Sequence, residues 1–257
     1  MLIQKPTPPD TEYPSCSFTM VTDTYAVTAA HCVYRQTATG WEMIPGLTDR
    51  SQALALLRQP VVGSRNATAC FAGGNSANCK FFRATVTQVY PPNNLAWPTK
   101  VPVPNPDIAI LQLKFINAAT LTPAALLFDE PPTVDITLAG YGYTTDKLVG
   151  WPNGSLLVGW QFIDTVDNYG MRWVVSAAQR TSNACPGDSG GAIFAGDQFG
   201  VLSEHHQLEA VISKVDTPNN ENARLACLTQ AGYGVRVAEY KEWICKTLPT
   251  PLAACSQ

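Results

Sequence analysis

The chain has 257 residues, 46% hydrophobic and 14% charged, with a formal net charge of -3. That length supports one large domain or two small ones with ample core, and the composition is that of a compact protein rather than a disordered one. The absence of a basic stripe argues against nucleic acid as a partner, and no apolar run reaches the roughly 18 residues needed to cross a membrane.

Residues 1–15 are proline-rich and polar and read as an extended N-terminal arm. Residues 1–14 carry no apolar h-region and do not read as a signal peptide; the leader is expected outside this sequence, or Met1 is not the native start. From Cys16 the pattern becomes β-like, with short strands around Phe18–Met20 and 25–28 leading into Ala29-Ala30-His31-Cys32. Ala53, Leu54, Leu56 and Leu57 suggest a short helix over 48–58, capped by Thr48 or Asp49. Strands are expected over 81–90 and, after a proline-rich loop, over 107–113. Residues 115–132 read as a connector between two halves.

In the second half, strands are expected over 134–139, 156–162, 172–176, 192–194 and 199–202, and residues 207–226 read as a long polar excursion. Val237, Tyr240, Trp243, Ile244 and Leu248 recur at helical spacing, which predicts an amphipathic C-terminal helix. Many short strands, frequent turn signals and one terminal helix indicate an all-β barrel or sandwich.

Eight cysteines, at 16, 32, 70, 79, 185, 227, 245 and 255, favour four disulfides and an oxidising compartment. Zinc is the rival reading, weakened by the lack of any C-x-x-C pair. The sequons at Asn66 and Asn153 fit secretion.

Three polar residues stand in distinctive settings. Ser189 lies in Cys185-Pro186-Gly187-Asp188-Ser189-Gly190-Gly191, a glycine-rich turn able to bring N–H groups near a substrate oxygen. The plain alternative is an ordinary polar turn. His31, one of only three histidines, follows an apolar run, and Asp107 opens an apolar strand. A buried carboxylate there needs a partner, for which an imidazole N–H is suited.

Thr28-Ala29-Ala30-His31-Cys32, Asp107-Ile108-Ala109-Ile110-Leu111 and Gly187-Asp188-Ser189-Gly190-Gly191 resemble, in order, the three signature motifs of the chymotrypsin/trypsin-like serine proteases. Gly140-Tyr141-Gly142 and the stretch from Gly232 to Trp243 extend the likeness. The resemblance implies two six-stranded antiparallel β-barrels with a C-terminal helix. Residues 16–120 would form the first barrel, 121–235 the second, and 236–257 the helix and tail.

It also implies a secreted, monomeric serine endopeptidase without cofactor or metal, acting on polypeptides and open to protein inhibitors. Ser189 would be the nucleophile, His31 the base and Asp107 its orienting acid. The N–H groups of Gly187 and Ser189 would form the oxyanion hole, supported by Asp188. Asn183, Ser203, Glu204, His205 and Gly232 would bind substrate, with Asn183 at the floor of the specificity pocket and Ser203 bonded to the catalytic aspartate. Cys16–Cys32 and Cys185–Cys227 match two disulfides of the resemblance; Cys70–Cys79 and Cys245–Cys255 follow from proximity.

The departures are informative. No Ile-Val-Gly-Gly-type sequence supplies an ammonium for Asp188, which favours as alternative a latent or non-catalytic homologue that binds proteins. Asn183 is neutral, giving little attraction for Lys or Arg. Gly187–Gly191 also satisfies G-x-S-x-G, but an α/β-hydrolase needs its acid and histidine well after the serine, and only His205 and His206 follow.

Overall fold

In the computed structural model of the chain, the described residues are 2–4, 13–37, 40–48, 53–60, 79–92, 106–116, 121–129, 132–142, 157–167, 170–176, 181–196, 206–216, 230–249 and 252–256. The first half contributes β1 (Leu2–Gln4), β2 (Tyr13–Cys16), β3 (Thr19–Met20), β4 (Tyr25–Thr28), the hairpin β5 (Tyr34–Thr37) and β6 (Gly40–Met43), β7 (Ala53–Pro60), β8 (Cys79–Tyr90) and β9 (Ala109–Phe115). Apart from the hairpin these form one antiparallel sheet in the order β2-β1-β7-β8-β9-β4-β3.

Strand β4 runs between β3 and β9, and Tyr25, Ala26, Val27 and Thr28 are all buried. The one polar member, Thr28, donates its hydroxyl to the Ser17 carbonyl at 2.8 Å, which removes the cost of burying it. Strand β9 buries Ala109, Ile110, Leu111 and Leu113 from the other side.

The second half contributes β10 (Ala125–Leu126), β11 (Asp135–Gly140), β12 (Leu157–Phe162), β13 (Thr165–Asp167), β14 (Gly170–Trp173), β15 (Ala192–Ala195), β16 (Gln207–Val215) and β17 (Gly232–Arg236). Their sheet runs β12-β11-β15-β16-β17-β14-β13, with β10 added in parallel against β16. One core cluster lies inside this sheet, around Ile136, Trp173, Ile193 and Ile212. The larger cluster draws on both halves, joining Val27, Ile110 and Leu111 to Leu208, Val211 and Val237. Shared apolar burial therefore holds the halves together.

Helix α1 (Lys241–Thr247) buries Trp243 and Ile244. It stops where Leu248 turns extended, at ψ 125, because the following Pro249 disfavours the helical region for the residue before it. The Cys245–Cys255 disulfide staples the tail back onto it.

The chain is all-β with one short C-terminal helix among the described residues, and its curled antiparallel sheets are consistent with the two-barrel architecture. Among the described residues the two sheets have seven and eight strands. Three expectations differ in detail. Leu2–Gln4 and Tyr13–Cys16, expected as an extended arm, are strands of the first sheet. Ala53–Pro60 is a strand, not a helix, because pairing along β8 from Cys79 to Ala84 overrides the helical preference of Ala and Leu. Residues 207–215 are a strand with Leu208, Ala210, Val211 and Ile212 buried; burial between β15 and β17 defeats the polar reading. The strand expected at 199–202 lies outside the described residues.

Candidate active site

His31 sits in a 3-10 turn (Ala30–Cys32) directly after β4, with Ala30 and Cys32 buried on either side. Cys32 is bridged to Cys16, so both ends of this segment are fixed. Asp107 is 3% exposed and lies two residues before β9. Because β4 and β9 pair from Thr28↔Ala109 onward, the residues just beyond that pair are brought together. The His31 N–H donates to Asp107 Oδ1 at 2.9 Å, and His31 Nδ1 lies 2.8 Å from Oδ2. A carboxylate accepts only, so the proton of this pair resides on Nδ1 and leaves Nε2 with its lone pair free. Burial works to lower the His31 pKa, but the Asp107 charge and hydrogen bond outweigh it and the net shift is upward.

Asp107 has a third donor, Ser213 Oγ, 2.5 Å from Oδ2. Ser213 is the extra residue of a bulge in β16, where Ile212 pairs with Gly234 and Lys214 with Tyr233. A bulged residue leaves the ladder and its side chain is re-aimed. Among the described residues the serine bonded to Asp107 is Ser213; Ser203, expected in that role, lies with Glu204 and His205 outside the described residues.

Ser189 Oγ donates to the Ser213 carbonyl at 3.3 Å. Ser213 is therefore a common neighbour of the His31–Asp107 pair and of Ser189. Among the described residues no hydrogen bond joins Ser189 Oγ to His31. The Ser189 carbonyl lies 3.5 Å from Cys32 Sγ, itself 4.0 Å from His31 Nε2. Gly190, at φ +82, packs against Thr28 Oγ1 and the Ser17 carbonyl so closely that a Cβ would collide with both.

Ser17 ties this loop to the first half and was not singled out by sequence. It is 1% exposed. Its N–H donates to the Ser189 carbonyl at 2.7 Å and its hydroxyl to the Gly187 carbonyl at 2.9 Å, while Oγ accepts the Tyr141 N–H at 2.9 Å. A serine among apolar residues beside a cysteine carries no local signal of that role. The N–H groups of Gly187 and Ser189 have no acceptor among the described residues.

Asp188 turns inward. Its carboxyl accepts the Gly142 N–H at 2.5 Å and the Cys185 N–H at 2.9 Å, and no cationic group faces it among the described residues. Burial pushes its pKa up to about 6, with the two N–H groups pulling the other way. Gly142 must be a glycine here, since a Cβ would run into the carboxyl.

Asn183 and Gly232 are brought together through Trp173. Asn183 Oδ1 accepts from Trp173 Nε1 at 2.7 Å, and a Cβ on Gly232 would strike the same indole. Cys185 is disulfide-bonded, while Cys227 and Cys70 lie outside the described residues. Cys16, His31 and Cys32 are the one grouping of potential metal donors among the described residues, but both sulfurs are joined in the Cys16–Cys32 disulfide and offer no thiolate.

No curated protein matches the chain. The family model described as Trypsin matches residues 9–244, from β2 into the first half of α1, and the chain belongs to the trypsin family.

Proposed function

We propose that the chain is a secreted serine endopeptidase that cleaves peptide bonds through an acyl-enzyme on Ser189. The carrying observation is the His31–Asp107 pair, with 2.8 Å between Nδ1 and Oδ2, which leaves Nε2 as the basic nitrogen, while Ser213 bonds both Asp107 and Ser189. For attack, Ser189 Oγ exchanges the Ser213 carbonyl for that nitrogen as acceptor. The Ser189 Oγ–H bond then breaks as Oγ attacks the scissile carbonyl carbon, and Nε2 takes the proton. His31 becomes an imidazolium beside the Asp107 carboxylate and returns the proton to the leaving amine. Water repeats the sequence to release the acid.

The two free N–H groups, of Gly187 and Ser189, suit the oxyanion that forms, a role usually worth about 3 kcal/mol of barrier per donor. Asp188 and Ser17 hold the loop that carries them. Disulfides and the lack, among the described residues, of a helix long and apolar enough to cross a membrane fit an extracellular site of action.

A second reading, a latent or non-catalytic homologue that binds proteins, is favoured by the resting bond from Ser189 Oγ to the Ser213 carbonyl and by Asp188 having no cation against it among the described residues. A fluorophosphonate distinguishes the two. Covalent labelling of the chain that is lost in Ser189→Ala is the expected result. No labelling of a folded chain refutes the endopeptidase.

A further inference from the structure

Two segments leave Ser189 side by side. One runs back through residues 182–187, the other forward along β16 from Ser213, and Ser189 Oγ on the Ser213 carbonyl joins them at one end. At the far end they close again. Asn183 Nδ2 donates to the Gln230 carbonyl at 3.0 Å, Val215 pairs across from Gly232, and the Asp216 N–H donates to the Ala231 carbonyl at 2.8 Å. Asn183 and Gly232 thus stand at the end of these two segments away from Ser189.

Behind them lies Trp173, 0% exposed, with its indole directly under Gly232 and its Nε1 donating to Asn183 Oδ1 at 2.7 Å. The Ala184 N–H donates to the same oxygen at 2.9 Å. An amide oxygen has two lone pairs, and both are taken. The amide cannot flip to free one, because indole N–H only donates and the Gln230 carbonyl only accepts. Asn183 thus presents at most one amide proton and no acceptor.

An ammonium or guanidinium arriving there would lose its water and find no lone pair in return on Asn183. The charged groups of the adjoining strands do not compensate. Lys214 Nζ lies over the Tyr233 ring at 4.8 Å and Asp216 accepts the Tyr233 hydroxyl at 3.0 Å. Tyr233 alternates with Gly232 and Gly234, so this pair belongs to the opposite face of β17. Val215, by contrast, packs on the core cluster that contains Trp173.

Resting on the endopeptidase reading, we infer that the pocket beside Ser189 is a short apolar slot selecting an uncharged aliphatic side chain before the scissile bond, with Trp173 as its specificity-determining residue. Trp173 acts twice: its ring sets the depth behind Gly232, and its N–H neutralises the acceptor of Asn183.

The test compares labelling rates by peptidyl diphenylphosphonates bearing Ala, Val, Leu, Phe, Glu, Lys or Arg side chains with labelling by a small fluorophosphonate that does not use the pocket. The expected result is Ala, Val or Leu reacting at least ~100-fold faster than Lys, Arg or Glu, a discrimination of the size an unpaired buried charge produces. In Trp173→Phe the freed Asn183 lone pair should raise the Lys-to-Leu rate ratio by ~10-fold or more, each rate taken relative to fluorophosphonate labelling of the same variant. Lys, Arg or Glu probes reacting as fast as Leu, with fluorophosphonate labelling intact, overturn the slot and leave the endopeptidase standing. No reaction with any reagent overturns both. Should Trp173→Phe fail to fold, the wild-type rate order still decides.

Discussion

The molecule buries two aspartates at opposite ends of one site and treats them differently. Asp107 receives His31 through both its N–H and Nδ1, and Ser213 through its hydroxyl. Asp188 receives only two backbone N–H groups, and no cation faces it among the described residues. The first environment adds two side-chain partners to one backbone N–H and can respond to substitution and protonation one group at a time. The second is made of loop geometry, so its state reports how the Gly187–Gly191 turn is folded. A charge held by side chains serves proton transfer; a carboxyl held by backbone serves shape.

The largest test of this contrast is His31→Ala, which should lower kcat/KM by at least ~1000-fold while leaving the thermal transition within a few degrees, since His31 packs little of the core. Substantial residual turnover sinks the base assignment. Asp107→Asn should approach a 10,000-fold loss, because an amide can present its N–H to Nδ1 and stabilise the wrong tautomer. A loss below ~10-fold would mean that Asp107 is structural only. With the wild type, the upward shift at His31 places the acid limb of the activity profile above the ordinary 6.5, activity rising with pH as the ring loses its proton. Asp107→Asn should move any residual limb downward.

Ser17→Ala probes the junction between the two environments. It removes the Ser17 hydroxyl that donates to the Gly187 carbonyl and accepts the Tyr141 N–H, a destabilisation of about 2 kcal/mol. Activity should fall less than the ~100-fold expected for deleting an oxyanion donor outright. Unchanged stability on denaturant titration would show that the Ser17 clasp carries no energy.

The smallest effect is a matter of sign. With a native pKa of about 6 against 3.8 for a free carboxyl, folded Asp188 binds more protons than unfolded Asp188 between those values. Its contribution to stability therefore falls as pH rises through that window and stays low above it. The stability difference between wild type and Asp188→Asn should shrink or reverse from pH 4 to 6. A difference growing in favour of wild type would place a cation against Asp188.

Much of this was legible in sequence because short motifs fix local chemistry. His31 beside Cys32, Asp107 before an apolar strand and Ser189 between glycines each carry their own setting, and the structure brings the first two into contact. What escaped depends on register. Ser213 acquires its role from a bulge in β16, and one residue of slippage in a strand has no signature in composition. The resemblance of Val201-Leu202-Ser203 pointed to Ser203 for that role, and residues 207–226 read as polar, yet Leu208–Ile212 is buried. Leu54 to Leu57 reads as helix until a partner strand is known. Trp173 was unremarkable until its indole met Asn183 across ten residues of chain.

The central claim is that Ser189, activated by His31, carries the acyl group. Rapid acid quench during hydrolysis of an activated peptide ester, followed by mass spectrometry, measures it directly. The account predicts an acyl adduct on Ser189 in the first turnover, absent from Ser189→Ala and strongly reduced in His31→Ala. Turnover with no adduct on Ser189, or an adduct that persists undiminished in His31→Ala, would contradict it.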